Sequence, residues 1–143
     1  MDKSINNFIY EKLQELDITD YNVQIIPGEY VIVFKKKMGE QTFPINLLYQ
    51  TLEDILVVRL VCTYLIPFRA PGKDFYQILE KLSSICVLGY LSFSEENEQF
   101  YITYNSQFVS KTKIFNQNDS LETHLKVSFD MIAMNYREIF DKK

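Results

Sequence analysis

The 143-residue chain is 47% apolar and 24% charged, a balance that excludes a disordered polypeptide and supplies enough material for one hydrophobic core. Its net charge of −4 sets a diffuse negative field around the molecule and argues against nucleic acid or an anionic lipid surface as a partner. Cys62 and Cys86 are far apart and lack a second pair to complete a metal site, so both read as buried small hydrophobes in a reducing compartment.

The opening MDKSINNFIYEKLQELD has no continuous apolar run of the secretory kind, which makes the cytoplasm the expected location. Residues 4–16 instead place Ile5, Phe8, Ile9, Leu13 and Leu16 at helical spacing, with Ser4 as a candidate N-cap. Asn22 to Ile26, a Pro27-Gly28 turn and Tyr30 to Lys36 predict a hairpin. The basic run Lys35-Lys36-Lys37 ends that hairpin as a solvated, edge-protecting feature. After Met38-Gly39-Glu40, a strand is predicted over Thr42 to Tyr49, where Pro44 lacks a ladder donor and calls for an edge position or a strand start.

EDILVVRLVCTYLIPF, residues 53–68, is the most apolar stretch of the chain. From Ile55 to Ile66 it is too short for a membrane span, which needs about 20 residues, and its β-branched content favours a long central strand. Both alternate sides of that strand are mostly apolar, whereas an antiparallel sheet with one wet face should alternate. The second face therefore needs a cover. Helices divided between the two faces are the preferred answer, and a second chain is the other.

Further along, Asp74 with Gln77 forms a capping box ahead of a stripe of Phe75, Ile78, Leu79, Leu82, Ile85 and Cys86. A hairpin follows, with Tyr90, Leu91 and Phe93 on one arm, a polar tip at Glu95 to Glu98, and Phe100 to Tyr104 on the other. Ser110 to Asn118 has no period and reads as a loop. Asp119 and Glu122 then cap a last helix lined by Leu121, Leu125, Phe129, Ile132, Tyr136 and Ile139, ending at Phe140. The order α-β-β-β-β-α-β-β-α, with short turns among the early strands, predicts one α+β domain over residues 1–143, an antiparallel sheet flanked by helices.

Chemistry is sparse. His124 is the single histidine, and the chain has no HExxH, GxSxG, CxxC or glycine-rich phosphate loop. Glu95, Glu96 and Glu98 form a polar tip without the spacing of a calcium loop, and Glu53 and Asp54 are strand neighbours that point to opposite faces. No catalytic residue, metal or cofactor is expected. A non-enzymatic protein-binding module is the expected function, with Val57, Arg59, Val61, Tyr101 and Tyr104 as candidate partner-binding residues and a protein or a second copy as the partner. The alternative is a small-molecule or catalytic pocket between the last helix and the sheet, using Glu53 or His124.

From about Phe43 to Phe140, the succession ILVVRLVCTYLIPF, DFYQILEKLSSICVLGYLSF, FYITYNS and SLETHLKVSFDMIAMNYREIF resembles the YbjN family of bacterial proteins, which shares the fold of type III secretion chaperones. The resemblance implies helices packed on an antiparallel sheet, no catalytic residues, and a chaperone-like or regulatory role through protein association. The related chaperones are small, acidic, usually dimeric proteins that hold an extended client segment. A dedicated type III secretion chaperone is thus a third possibility.

Overall fold

Two-residue turns shape the first half of the molecule. The computed structural model describes residues 3–66, 73–117 and 119–140, apart from the side chains of 73–75. Helix α1 (Lys3–Glu15) leads into strands β1 (Tyr21–Ile26), β2 (Glu29–Met38), β3 (Gln41–Leu52) and β4 (Ile55–Ile66). Each connection within this meander is two residues long and contains one residue at positive φ: Gly28 at 78°, Gly39 at 66° and Glu53 at 57°. Turns of this length favour positive φ because they must follow the right-handed twist of the strands. Helix α2 (Lys73–Ile85), strands β5 (Tyr90–Glu96) and β6 (Gln99–Lys111) and helix α3 (Ser120–Phe140) complete the fold. The β5–β6 turn has both Asn97 and Glu98 at positive φ, the requirement of a type I′ turn.

The six strands form one antiparallel sheet in the order β1-β2-β3-β4-β6-β5. The α+β class and the predicted element order both hold. β4 lies inside the sheet and pairs with β6 along its whole length, from Ile55↔Lys111 to Ile66↔Phe100. A strand of that composition is stable there because Leu56, Val58, Leu60, Cys62, Tyr64 and Ile66 all enter the core.

The preferred arrangement of the helices is corrected. They do not divide between the faces; all three pack on the side to which Leu60 points. Tyr49 donates a 2.8 Å hydrogen bond to Asn6 of α1, the Tyr76 ring of α2 meets Phe93, and Phe129 and Tyr136 of α3 meet Phe34 and Phe43. α1 contributes Ile5, Ile9 and Leu13 to this layer, and α3 contributes Leu121, Leu125, Ile132 and Ile139. The apolar odd residues of β4 suggested a second buried layer, but their neighbours on that face include Asn46, Gln50, Asn105 and Gln107. A face is set by all its strands together, and this one is mixed.

Pro44 sits where the ladder does not need it. β3 pairs with β4 only from Asn46 to Leu52, so Pro44, opposite Lys35 of β2, lies on a segment with a strand partner on one side. Beside this opening, Phe43, Tyr64, Tyr136 and Phe140 form an aromatic cluster, with four edge-to-face contacts at centroid distances of 5.2–6.1 Å and a tilted Tyr136–Phe140 contact at 4.4 Å. The Tyr64 hydroxyl is buried there with no hydrogen-bond partner among the described residues. Tyr64→Phe removes an unmet polar group and keeps the ring, so it is expected to preserve stability or raise it by up to about 1 kcal/mol. A lower urea midpoint would contradict that account.

Three smaller expectations change. β6 runs to Lys111 rather than stopping near Tyr104, because its inward residue Ser106 is buried and polar and interrupts the visible alternation. Cys62 is buried and its thiol is pushed up to about 12 by desolvation, but Cys86 is only half-buried, past the end of α2, with its Sγ 3.7 Å from Asn135 Nδ2. Of the basic run, Lys36 places its ammonium 5.6 Å from the centre of the Phe129 ring, while Lys35 and Lys37 are exposed. The Asp74 and Phe75 side chains fall outside the described residues, so the capping box predicted there is not described.

Candidate functional site on the open sheet face

With the helices on one side, the other face of the sheet has no cover among the described residues. The register writes this face as rows across the strands. Gln50, Val57 and Val109 form one row; Val31, Leu48, Arg59 and Gln107 form the next; Val33, Asn46, Val61, Asn105 and Tyr90 form a third. Valines and Leu48 thus make an apolar band along the middle strands. Val57 is buried within it, while Val61 and Leu48 are half-buried and Val109 is exposed. Thr63 and Thr103 exchange a 2.9 Å hydrogen bond one row beyond.

Arg59 crosses this band. Its Nη2 donates to Glu29 Oε1 at 2.9 Å, reaching from β4 over β3 to β2. Because Arg59 is partly exposed, the pair contributes no more than about 1 kcal/mol, and its main effect is to lay the guanidinium flat on the sheet. Where β5 begins, Arg59, Val61, Gly89, Tyr90, Asn105 and Gln107 surround a hollow of about 400 Å³. The hollow combines a cation, an apolar floor, amides and the exposed ring of Tyr90.

The charges on this face run against those of the whole chain. Lys35, Lys37, Arg59 and Lys111 lie on it by register, with Glu29 and Glu96 as the acidic members, although the chain carries −4 overall. Among the described residues, the remaining acidic charge lies on the helices, in the turns and at the sheet margin.

Of the residues singled out from sequence, Val57, Arg59, Val61 and Tyr101 share this face. Tyr101 stands four residues from Asn105, the partner of Val61, or roughly 13 Å along the sheet. Its hydroxyl donates to Gln99 Oε1 at 2.9 Å. Tyr104 is a correction. It points into the helix layer, is fully buried, and donates a 2.6 Å hydrogen bond to the Leu88 carbonyl, so it is a structural residue. The sequence marks Tyr90 only as a hairpin residue and does not single out Asn105 or Gln107, for which the alternation Asn105, Gln107, Val109 is the available signal.

On the helix side, a cavity of about 690 Å³ lies between α3, β6 and the α2–β5 link, lined by Val87, Leu88, Phe108, Thr123, His124 and Val127 among others. His124 Nε2 lies 3.1 Å from Ser106 Oγ, which lies 2.9 Å from Ser128 Oγ. Burial holds the His124 pKa below its ordinary value. The unfolded chain therefore takes up a proton first as pH falls, and stability is complete above about pH 6.5 and declines below it toward the lower folded value. A His124→Gln variant is expected to lose this contribution, checked by urea midpoints measured from pH 7.5 to 5. Glu53 does not line this cavity and is exposed in the β3–β4 turn.

Among the described residues, no cluster of His, Cys, Asp and Glu side chains is arranged to hold a metal ion, and no helix is long and apolar enough to cross a membrane. No protein-family model matches the chain and no curated protein matches it, so a functional reading rests on the chain's own geometry.

Proposed function

We propose that this protein is a non-enzymatic protein-binding module whose open sheet face takes a partner segment rich in apolar and acidic residues. One observation carries the reading: a face without helical cover among the described residues bears an apolar band and a cationic excess on an otherwise acidic chain. Apolar contact supplies the area, and opposite charge supplies orientation and a faster encounter. The hollow beside Val61 and Arg59 is the natural anchor point, because a side chain seated there is walled by Tyr90 and meets amides and a guanidinium. A chaperone-like or regulatory role of the YbjN kind, including that of a dedicated type III secretion chaperone, is one form of this activity and adds no residue to it.

The test is affinity capture from lysate of the native source with wild type and with Val61→Glu as baits, since a carboxylate removes apolar contact and repels an acidic segment. A stoichiometric acidic protein held by wild type, lost with Val61→Glu and released by salt, supports the reading. A companion protein retained equally by both baits would move the binding surface elsewhere.

A second reading is favoured by the cavity beside His124, whose volume suits a small organic ligand with an apolar body and one hydrogen-bonding group. A compound that raises the melting temperature of wild type and of His124→Gln equally would remove His124 from any such role.

A further inference from the structure

We infer that β1 is a homodimer edge, on which a second copy adds its own β1 antiparallel and extends the two sheets into one of twelve strands. β1 is the outermost strand, and YNVQII contains no charge, no proline and no break in its register with β2. Five of its six residues are exposed, with Val23 at 40%, Ile25 at 71% and Ile26 at 45%. Edge strands of monomeric proteins are normally blunted by lysine, proline, a bulge or a covering loop, and β1 carries none of the first three. The opposite edge, β5, carries Glu95 and Glu96, so two copies of it would bring like charges together.

Symmetry restricts the pairing. Side-by-side antiparallel strands related by a two-fold axis have that axis perpendicular to the sheet, so both helix layers fall on the same side. Helix-side residues must then face helix-side residues. Centring the pair on Val23 sets Val23 against Val23, Tyr21 against Ile25 and Asn22 against Gln24 of the other copy. Apolar residues meet on the helix side and amides meet on the open side. The backbone agrees: Ile26 and Glu29 face each other across the two-residue turn, the position that exchanges both hydrogen bonds within a hairpin. Counting back by twos, the peptide groups of Ile25, Val23 and Tyr21 point away from β2, toward the second copy.

A cavity independently fits this register. About 350 Å³ of space lies between α1 and β1, bounded by Tyr10, Ile18 and Tyr21 with Asn7, Glu11 and Gln14 at its rim. Tyr10 and Tyr21 stack there at 6.0 Å. The Val23-centred pairing brings Ile25 of the second copy directly opposite Tyr21, on the cavity's side of the sheet. Each chain therefore offers one exposed isoleucine and one hollow, the self-complementarity that a two-fold interface requires. The open faces become continuous, so the inference is independent of the reading proposed for them.

Sedimentation of the full chain at about 100 µM is expected to give twice its 17.0 kDa mass, and Val23→Lys or Ile25→Lys to give the single-chain mass with unchanged circular dichroism. Val23→Cys is expected to cross-link under mild oxidation, since a directly opposed pair sits about 5.5 Å apart between Cα atoms, while Asn22→Cys does not. A monomeric wild type would overturn the inference, as would a dimer that survives both lysine variants. Val61→Glu keeps the dimer, which separates failure here from failure of the open-face reading.

Discussion

Leu60→Ala is expected to cost about 2–5 kcal/mol, while Val61→Lys, one residue further along the same strand, costs no more than about 1 kcal/mol. The difference follows from alternation alone. Leu60 is 1% exposed beneath the helices, in a core where truncation leaves a cavity that close-packed neighbours cannot fill. Val61 faces the other way, beside Asn46 and Asn105, where a lysine stem lies along the sheet and its ammonium reaches water. Guanidinium unfolding of the two variants beside wild type measures both effects. A Val61→Lys protein as unstable as Leu60→Ala would mean that the open face is packed, and the binding reading would fall with it.

Gly89→Ala is expected to destabilise by about 2–5 kcal/mol, from two causes that act together. Gly89 sits at φ 81°, a conformation that costs a residue with a Cβ about 1–2 kcal/mol. Its new methyl group would also overlap the Asn105 carbonyl oxygen and come within 2.7 Å of the Tyr104 hydroxyl, adding about 1–3 kcal/mol of overpacking. Tyr104 cannot withdraw without giving up its hydrogen bond to Leu88. Gly28→Ala is the control. It has a similar φ of 78° but open space around the added carbon, so only the first cost applies. Equal losses in thermal denaturation of the two variants would show that the crowding at Gly89 relaxes freely.

Much of this architecture was legible because its signals are local. Pro27-Gly28 and Met38-Gly39-Glu40 mark turns, Asp119 directly precedes the last helix, and the β-branched content of residues 55–66 gives a strand. What escaped depended on partners distant in the chain. Ser106, Ser128 and Asn135 are buried polar residues that fit the core only because Ser106 and Ser128 meet each other and Asn135 meets Cys86. Ser106 consequently concealed the second half of β6, and with it Asn105 and Gln107 of the open face. Sequence alone groups Tyr104 with the partner-binding candidates because strand parity is invisible until the register with β4 is known. The apolar sides of β4 point to Val57, Arg59 and Val61 and tyrosine content points to Tyr101 and Tyr104, and it is the register that separates Tyr104 from the other four.

The sheet order also sets a timetable for synthesis. β1 to β4 pair with near neighbours and can form as soon as residue 66 is available, yet the outer side of β4 waits for β6, which is complete only at Lys111. At about 5–20 residues per second, translation leaves the most apolar strand of the nascent chain as an unpaired edge for several seconds. β5, made in that interval, cannot take the place beside β4 without excluding β6 from it.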